Sequence, residues 1–157
     1  MKLIVVEDEK IIRTDLLKHV PWQRLGVSEV EAAANGEEAL AKTENFRPDI
    51  VLSDIRMPGM SGVDLCRKLR EKFPEIEIIF STGYADKEYL KAAIDLHAVG
   101  YVEKPVNVKL LSENVEEAVQ RVRERRKANA RNFETIFWRW IPMFHWNRRR
   151  EPIFALS

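Results

Sequence analysis

The sequence predicts an α/β fold in which five parallel strands form a doubly wound sheet covered by five helices. Short runs of β-branched residues alternate five times with longer segments of helical periodicity. The runs are continuously apolar, as expected of strands buried on both faces. The predicted strands are 3–6, 28–34, 49–53, 77–80 and 100–102, and the predicted helices are 9–20, 36–45, 61–73, 86–97 and 107–127.

Three of the helices have specific support in the sequence. The third is bounded by Ser61, a favourable N-cap residue, and by Pro74, which cannot continue a helix. The first and the fifth carry apolar residues at helical spacing, which predicts one buried face on each. On the first these are Ile11, Ile12, Leu16, Leu17 and Val20, and on the fifth they are Leu110, Leu111, Val115, Val119 and Val122.

Composition excludes several classes of protein. A single cysteine, Cys66, rules out an internal disulfide and suits a reducing compartment. The N-terminus lacks the pattern of a signal peptide. No window contains the roughly 18 apolar residues that a membrane span needs. We therefore expect a cytoplasmic protein that makes no membrane contact.

Charge divides the chain into two regions. Residues 1–120 contain 16 Lys and Arg against 22 Asp and Glu, whereas residues 121–157 contain 10 against 3. Three of the four tryptophans also lie in the basic region, at Trp138, Trp140 and Trp146. We predict one domain over residues 1–127 and a basic, aromatic-rich helical linker or tail over residues 128–157.

Polar residues follow four of the predicted strands. Because an open α/β sheet binds ligands beyond the carboxyl ends of its strands, these residues should meet at one edge. They are Glu7, Asp8 and Glu9 after the first strand, Asp54 after the third, Ser81 and Thr82 after the fourth, and Glu103, Lys104 and Pro105 after the fifth.

This set of side chains suits phosphoryl chemistry. Clustered carboxylates repel one another unless a cation joins them, and oxygen ligands suit Mg²⁺. An aspartate such as Asp54 can act as a nucleophile toward phosphorus, with Lys104 and the Thr82 hydroxyl placed to meet the phosphoryl oxygens. Taken singly, each residue is more ordinary: the acids cap helices, Asp54 begins a turn and Lys104 is a solvated charge. Their combination is far more specific than any one of them.

Four segments that carry these residues resemble the receiver domains of bacterial two-component response regulators. They are VVEDE (5–9), VLSDIRMPGMSGVDL (51–65), FSTGY (80–84) and GYVEKPV (100–106). The resemblance implies a flavodoxin-like sheet with strand order 2-1-3-4-5. It also implies that Asp54 accepts a phosphoryl group from a sensor histidine kinase. The chain would then be a phosphoacceptor with slow self-dephosphorylation at most, and not an enzyme.

The resemblance also implies a role for each residue at the site. Mg²⁺ would be held by Glu7, Asp8, Asp54 and the backbone carbonyl of Arg56. Lys104 would pair with the phosphoryl oxygens, and the Lys104–Pro105 bond would be cis. Thr82 would be the switch hydroxyl and Tyr101 the aromatic that turns inward. For Tyr101, a core aromatic without a switching role is the alternative.

In detail, the motifs resemble those of receivers that precede an AraC-type DNA-binding domain. There the receiver is followed by a helical linker that often contains a Phe-Trp pair, as Phe137-Trp138 here. We therefore expect a homodimeric fragment of a longer transcription regulator, with DNA bound by an output domain that this chain lacks. The alternative is a stand-alone or degenerate receiver that acts by protein–protein interaction.

Two other functions fit less well. A phosphatase of the aspartyl-nucleophile class would place its nucleophile after the first strand with a second Asp two residues on, but Lys10 follows Asp8 at that spacing. A flavin- or nucleotide-binding domain would need a loop rich in Gly, Ser or Thr to cradle phosphate. The Glu-Asp-Glu sequence at 7–9 would repel that phosphate.

Overall fold

The structure is a computed structural model that describes the backbone of residues 1–83 and 87–145, with side chains for 1–83 and 89–139. Tyr84, part of one motif, and Trp146, part of the basic tail, lie outside the described residues. The chain divides into two compact units, Met1–Val122 and Arg123–Ser157. In the part of the chain that the structure describes, no helix combines the length and hydropathy needed to cross a bilayer.

The first unit contains the sheet that the sequence predicts. All neighbouring strands are parallel, and their order is β2-β1-β3-β4-β5, which confirms the expected order 2-1-3-4-5. The strands are β1 (Lys2–Val6), β2 (Glu29–Ala33), β3 (Ile50–Asp54), β4 (Glu77–Thr82) and β5 (Gly100–Glu103). The order reverses between β1 and β3, so the crevice for a ligand lies beyond the ends of these two strands.

Five helices alternate with the strands, as predicted. They are α1 (Lys10–His19), α2 (Gly36–Phe46), α3 (Gly62–Lys72), α4 (Lys87–Asp95) and α5 (Val108–His145). Ser61 caps α3 as expected, since its hydroxyl accepts a hydrogen bond from the amide of Asp64 at 3.1 Å. The last helix continues past residue 130, in agreement with the absence of Gly and Pro from this stretch before Pro142.

Two apolar clusters, one on each face of the sheet, form the core of the first unit. The first joins α1 and α5 to the sheet through Leu3, Val5, Leu16, Leu52, Leu111 and Val115. The second joins α2, α3 and α4 to the opposite face through Ile4, Ala39, Val51, Leu65, Phe80 and Ala92. The strands at the centre are thus buried on both sides, which is why their sequences are continuously apolar.

The prediction of a single apolar face on α1 was partly wrong. Ile12, Leu16 and Val20 pack against the core, but the Ile11 side chain is 78% exposed and Leu17 is also exposed. Residues at i, i+4 and i+8 lie in one line along a helix, whereas Ile11 and Leu17 fall on either side of that line. On α5, Leu110 is likewise exposed beside the buried Leu111.

Helix α2 begins with a reciprocal pair of hydrogen bonds. The Asn35 Oδ1 atom accepts from the amide of Glu38 at 2.8 Å, and the Glu38 carboxylate accepts from the amide of Ala34 at 3.0 Å. This second hydrogen bond, with help from Lys42, lowers the pKa of Glu38 below its ordinary value. Both bonds satisfy amides that would otherwise lack a partner within the helix.

Loss of this cap should destabilise the protein measurably. Asn35→Ala removes the acceptor for the Glu38 amide, and we expect the free energy of unfolding to fall by about 1 kcal/mol. Urea denaturation followed by circular dichroism measures the change. Asn35→Asp keeps an acceptor at the same place and should stay close to the parent. Equal stability of the alanine variant and the parent would show that the cap contributes nothing.

The second unit carries exposed aromatic side chains on α5. The Phe133 and Phe137 rings are stacked with centroids 6.1 Å apart, and the Trp138 ring meets Phe137 edge-on at 6.0 Å. All three side chains and that of Ile136 are more than half exposed. The described part of this unit is therefore a helix with an apolar, aromatic surface among basic residues.

Candidate functional site

The polar residues singled out in the sequence lie at the carboxyl ends of four strands. Glu7 directly follows β1, Asp54 is the last residue of β3, and Thr82 is the last residue of β4. Lys104 directly follows β5. Because the strands are parallel, their carboxyl ends meet at one edge of the sheet, and this edge carries the candidate site.

The Lys104 ammonium group joins two carboxylates from different strands. Its Nζ atom donates to Asp54 Oδ2 at 2.8 Å and to Glu7 Oε1 at 3.2 Å, and it lies 3.0 Å from Glu7 Oε2. The side chains of Glu7 and Asp54 are only 1% and 5% exposed. Lys104 is 50 residues from Asp54 and 97 residues from Glu7 in sequence, yet the three side chains form one charged group.

A cluster of acids surrounds this lysine. Carboxylate oxygens of Glu7, Asp8 and Asp54 all lie within 4.8 Å of one another. Glu7 Oε2 is buried and receives no hydrogen bond from the described residues, although Lys104 is near it. Three carboxylates against one ammonium leave an excess of negative charge, and oxygen donors of this kind suit Mg²⁺. The donor set therefore fits a divalent cation.

Burial and charge act in opposite directions on the ionisation of the site. Burial is the main reason that the pKa values of Glu7 and Asp54 are raised above their ordinary range, and the hydrogen bonds from Lys104 partly offset it. Burial alone would lower the pKa of Lys104, but its hydrogen bonds to Asp54 and Glu7 outweigh that effect and raise it. The lysine therefore stays protonated between the two carboxylates.

Backbone contacts hold Asp54 in place. Its Oδ1 atom accepts from the amide of Arg56 at 3.3 Å, and its backbone oxygen accepts from the Ser53 hydroxyl at 2.9 Å. Gly62, the first residue of α3, approaches Asp54 so closely that an added Cβ would lie 1.9 Å from this backbone oxygen. No side chain fits there, so glycine permits the close packing of α3 on the end of β3.

The loop after β5 fixes the position of Lys104. Its amide donates to the backbone oxygen of Thr82 at 2.8 Å, which continues the pairing of β4 and β5 beyond the strand ends. The Lys104–Pro105 peptide bond is cis, as the resemblance implied.

The hydroxyl residues at the end of β4 are both buried. Ser81 is the register partner of Asp54, and its Oγ atom has no hydrogen-bond partner among the described residues. Thr82 follows it at the rim of the sheet and is 4% exposed. Gly83 is next, and, its chain neighbours aside, no atom of the described residues lies within 4 Å of the place where its Cβ would be.

Tyr101 lies on β5 and its side chain is 41% exposed. It pairs in register with Phe80, and it borders a surface groove together with Leu90 and Ile94 of α4. The ring is therefore directed away from the acid cluster in this structure. An exposed ring does not fit the alternative of a core aromatic, and the role of Tyr101 as a switch residue stays a prediction.

Three features of the site escaped the sequence analysis. Arg13 of α1 donates to the backbone oxygens of Glu7 and Asp8, Gly62 packs on Asp54, and the Arg56 Nε atom donates to the Tyr89 hydroxyl at 3.0 Å. Only Gly62 had a sequence signal, because it follows the N-cap residue Ser61 within the motif that contains Asp54. The other two are tertiary contacts without a characteristic spacing.

Comparison with known proteins identifies the family of the chain. Residues 3–116 match the family model of the response regulator receiver domain. A response regulatory protein of Staphylococcus epidermidis is 39% identical over 124 residues, which cover 79% of this chain and 49% of that protein. The transcriptional regulatory protein HptR of Staphylococcus aureus is 33% identical over 142 residues, 90% of this chain and 56% of HptR. The chain thus spans about half the length of these two curated relatives.

Solved structures give the same result. A two-component transcriptional regulator AraC from Clostridium phytofermentans is 30% identical with a TM-score of 0.73, covering 82% of this chain and 98% of that one. The receiver domain of AraT, a response regulator from Geobacillus stearothermophilus, is 32% identical with a TM-score of 0.73, covering 80% and 97%. This chain belongs to the response regulator receiver domain family.

Proposed function

We propose that Asp54 accepts a phosphoryl group from the phosphohistidine of a sensor histidine kinase. The observation that carries this proposal is the hydrogen bond of 2.8 Å between Lys104 Nζ and Asp54 Oδ2 at the end of β3. It places a nucleophilic carboxylate beside a fixed cation that is ready to meet the charge on phosphoryl oxygens. Membership of the receiver family supports the same chemistry.

In the transfer, a carboxylate oxygen of Asp54 forms an O–P bond while the P–N bond of the phosphohistidine breaks. The bonding electron pair leaves with the imidazole nitrogen. Lys104 pairs with a phosphoryl oxygen, and the Thr82 hydroxyl donates to another. The product is a covalent acyl phosphate, and in this proposal the domain is a phosphoacceptor with slow self-dephosphorylation at most, not a turnover enzyme.

The residues that would hold Mg²⁺ are Glu7, Asp8, Asp54 and the backbone carbonyl of Arg56. The acid cluster and the buried Glu7 oxygen without a hydrogen-bond partner among the described residues support this assignment. Mg²⁺ bound there supplies positive charge to the phosphoryl oxygens. Lys104, which directly follows β5 at the same edge of the sheet, contributes a second cation.

Phosphorylation acts as a switch through Thr82 and Tyr101. The phosphoryl group attracts the Thr82 hydroxyl, and the ring of Tyr101 then turns from its exposed position toward the vacated space. The surface of α4, β5 and α5 changes as a result, and with it the preference for a partner. The exposure of Tyr101 supports this sequence of events.

Tyr101→Ala should leave phosphoryl uptake unchanged and reduce the change in self-association that follows it. We expect phosphoryl uptake at the parental rate, because the ring contributes nothing to the acid cluster. The change in self-association on phosphorylation should be largely lost, since no ring is left to change position. Analytical ultracentrifugation with and without acetyl phosphate measures this. A parental response would show that Tyr101 is a packing aromatic only.

The output of the switch is transcriptional in this proposal. Residues 1–127 form the receiver, and residues 128–157 form a basic helical linker to a DNA-binding domain of a longer protein. HptR, a transcriptional regulatory protein by name, is longer than this chain and supports that arrangement. The receiver acts as a homodimer and works in the cytoplasm, where a kinase phosphohistidine and DNA are both accessible.

Intact mass spectrometry tests the proposed function. The chain is incubated with acetyl phosphate and Mg²⁺, and in parallel with EDTA. The mass of one phosphoryl group should be gained with Mg²⁺ and not with EDTA. No gain under conditions in which a known receiver is labelled would overturn the proposal and favour a degenerate receiver that works by protein–protein interaction.

A further inference from the structure

We propose that Arg13 is a positioning residue that sets the affinity of the acid cluster for Mg²⁺. It does so by holding the turn between β1 and α1, which carries Glu7 and Asp8. The inference rests on the proposed magnesium-dependent function and extends it to a residue outside the cluster. Arg13 contacts neither Asp54 nor Lys104 through any hydrogen bond found among the described residues.

The contacts of Arg13 are made with the main chain of the acidic turn. A single guanidinium nitrogen, Nη1, donates to the backbone oxygen of Glu7 at 2.6 Å and to that of Asp8 at 3.3 Å. These two successive carbonyl groups belong to the residues whose carboxylates line the cluster. Holding their oxygens on the side of α1 limits rotation of the peptide planes and so restricts where both carboxylates point.

Besides the Arg13 side chain, the contacts that hold the turn include the hydrogen bond from the Glu7 amide to the backbone oxygen of Ala33 at 3.1 Å and that from Lys104 to the Glu7 carboxylate. The turn consists of residues 7–9 only, between the end of β1 at Val6 and the start of α1 at Lys10. Its N-cap residue, Glu9, makes no side-chain capping hydrogen bond to α1. The amide of Glu9 instead donates to Glu7 Oε1 at 3.2 Å. Arg13 therefore takes the place of a cap as a restraint on the turn.

Charge adds to the effect of geometry. Two acidic residues next to each other in a short turn repel, and the delocalised cation of Arg13 lies against their backbone oxygens. Its planar guanidinium donates from one nitrogen to two acceptors. A lysine at this position has a flexible ammonium that holds the two carbonyl groups less rigidly.

A purely structural role makes a different prediction. If Arg13 only stabilised the start of α1, its loss would lower the free energy of unfolding and leave Mg²⁺ affinity unchanged. If it positions the ligands, the dissociation constant for Mg²⁺ must rise even in a fully folded variant. Residues that orient metal ligands commonly alter affinity about 10- to 100-fold when they are replaced.

The test is an Mg²⁺ titration of the full chain, followed by NMR through the amide resonance of Arg56. The variants are Arg13→Gln, Arg13→Lys and, as a matched control, Val20→Ala. Val20 is buried at the other end of α1, so its truncation destabilises the same helix without touching the acidic turn. Circular dichroism establishes that each variant is folded at the temperature of the titration.

We expect Arg13→Gln to weaken Mg²⁺ binding about tenfold or more, Arg13→Lys to lie between it and the parent, and Val20→Ala to match the parent. Raising the Mg²⁺ concentration should restore the rate of phosphoryl uptake in Arg13→Gln. Parental affinity in Arg13→Gln would overturn the inference and leave the proposed function intact. Failure of the parent chain to bind Mg²⁺ would overturn the proposed metal site and the inference with it.

Discussion

Replacement of Asp54 by Asn should abolish phosphoryl uptake. The amide has nearly the same shape as the carboxylate, so the end of β3 keeps its packing, but its oxygen is a poor nucleophile toward phosphorus. The loss should be complete rather than partial, because the acyl phosphate cannot form on an amide. The Asp54 carboxylate lies 2.8 Å from Lys104 Nζ, where a phosphoryl group on it would meet a cation.

Phosphoryl uptake from acetyl phosphate, measured by intact mass, checks this expectation. Asp64→Asn is the matched control, because Asp64 lies exposed on α3 in a contact with Arg67 and outside the acid cluster. The control should be phosphorylated like the parent. Uptake by Asp54→Asn at the parental level would show that the phosphoryl group goes to another residue.

Gly62→Ala should damage both the fold and the site. The new Cβ would lie 1.9 Å from the backbone oxygen of Asp54, and 2.9 Å from the Ser53 hydroxyl. The carbonyl belongs to a central strand and cannot yield as a side chain can. We therefore expect a loss of about 3 kcal/mol in the free energy of unfolding, with slower phosphoryl uptake because the end of β3 must shift.

Gly83→Ala provides the control for this second prediction. Its chain neighbours aside, no atom of the described residues lies within 4 Å of the position of its Cβ, so the same chemical change should alter the free energy of unfolding by about 0.5 kcal/mol at most. Chemical denaturation of both variants measures the difference. If Gly62→Ala were as stable as Gly83→Ala, the inference that α3 packs tightly against Asp54 would be wrong.

The fold was predictable because short apolar runs mark the strands in the sequence. The central strands are buried on both faces and therefore largely apolar, as in 3–6 and 78–80. The helix boundaries were close where capping residues mark them, as at Ser61. Hydrophobicity alone did not predict which apolar residues of an amphipathic helix are exposed to solvent, as Ile11 is.

The principal charged cluster was also predictable, because parallel topology brings the ends of separate strands to one edge. That rule predicted that Glu7, Asp54 and Lys104 lie close together. The contacts of Arg13 and of Gly62 followed no such rule. They depend on how closely one helix packs against the end of one strand, which is a property of the folded chain and not of residue spacing.

The most direct test of the central claim is to locate the phosphoryl group. The chain is phosphorylated with acetyl phosphate and Mg²⁺, the acyl phosphate is reduced with borohydride, and the modified residue is identified by peptide mass spectrometry. Reduction converts a phosphorylated aspartate to homoserine, so the site is marked permanently. We predict modification at Asp54 alone. Modification at Asp8 or elsewhere, with Asp54 intact, would contradict the account.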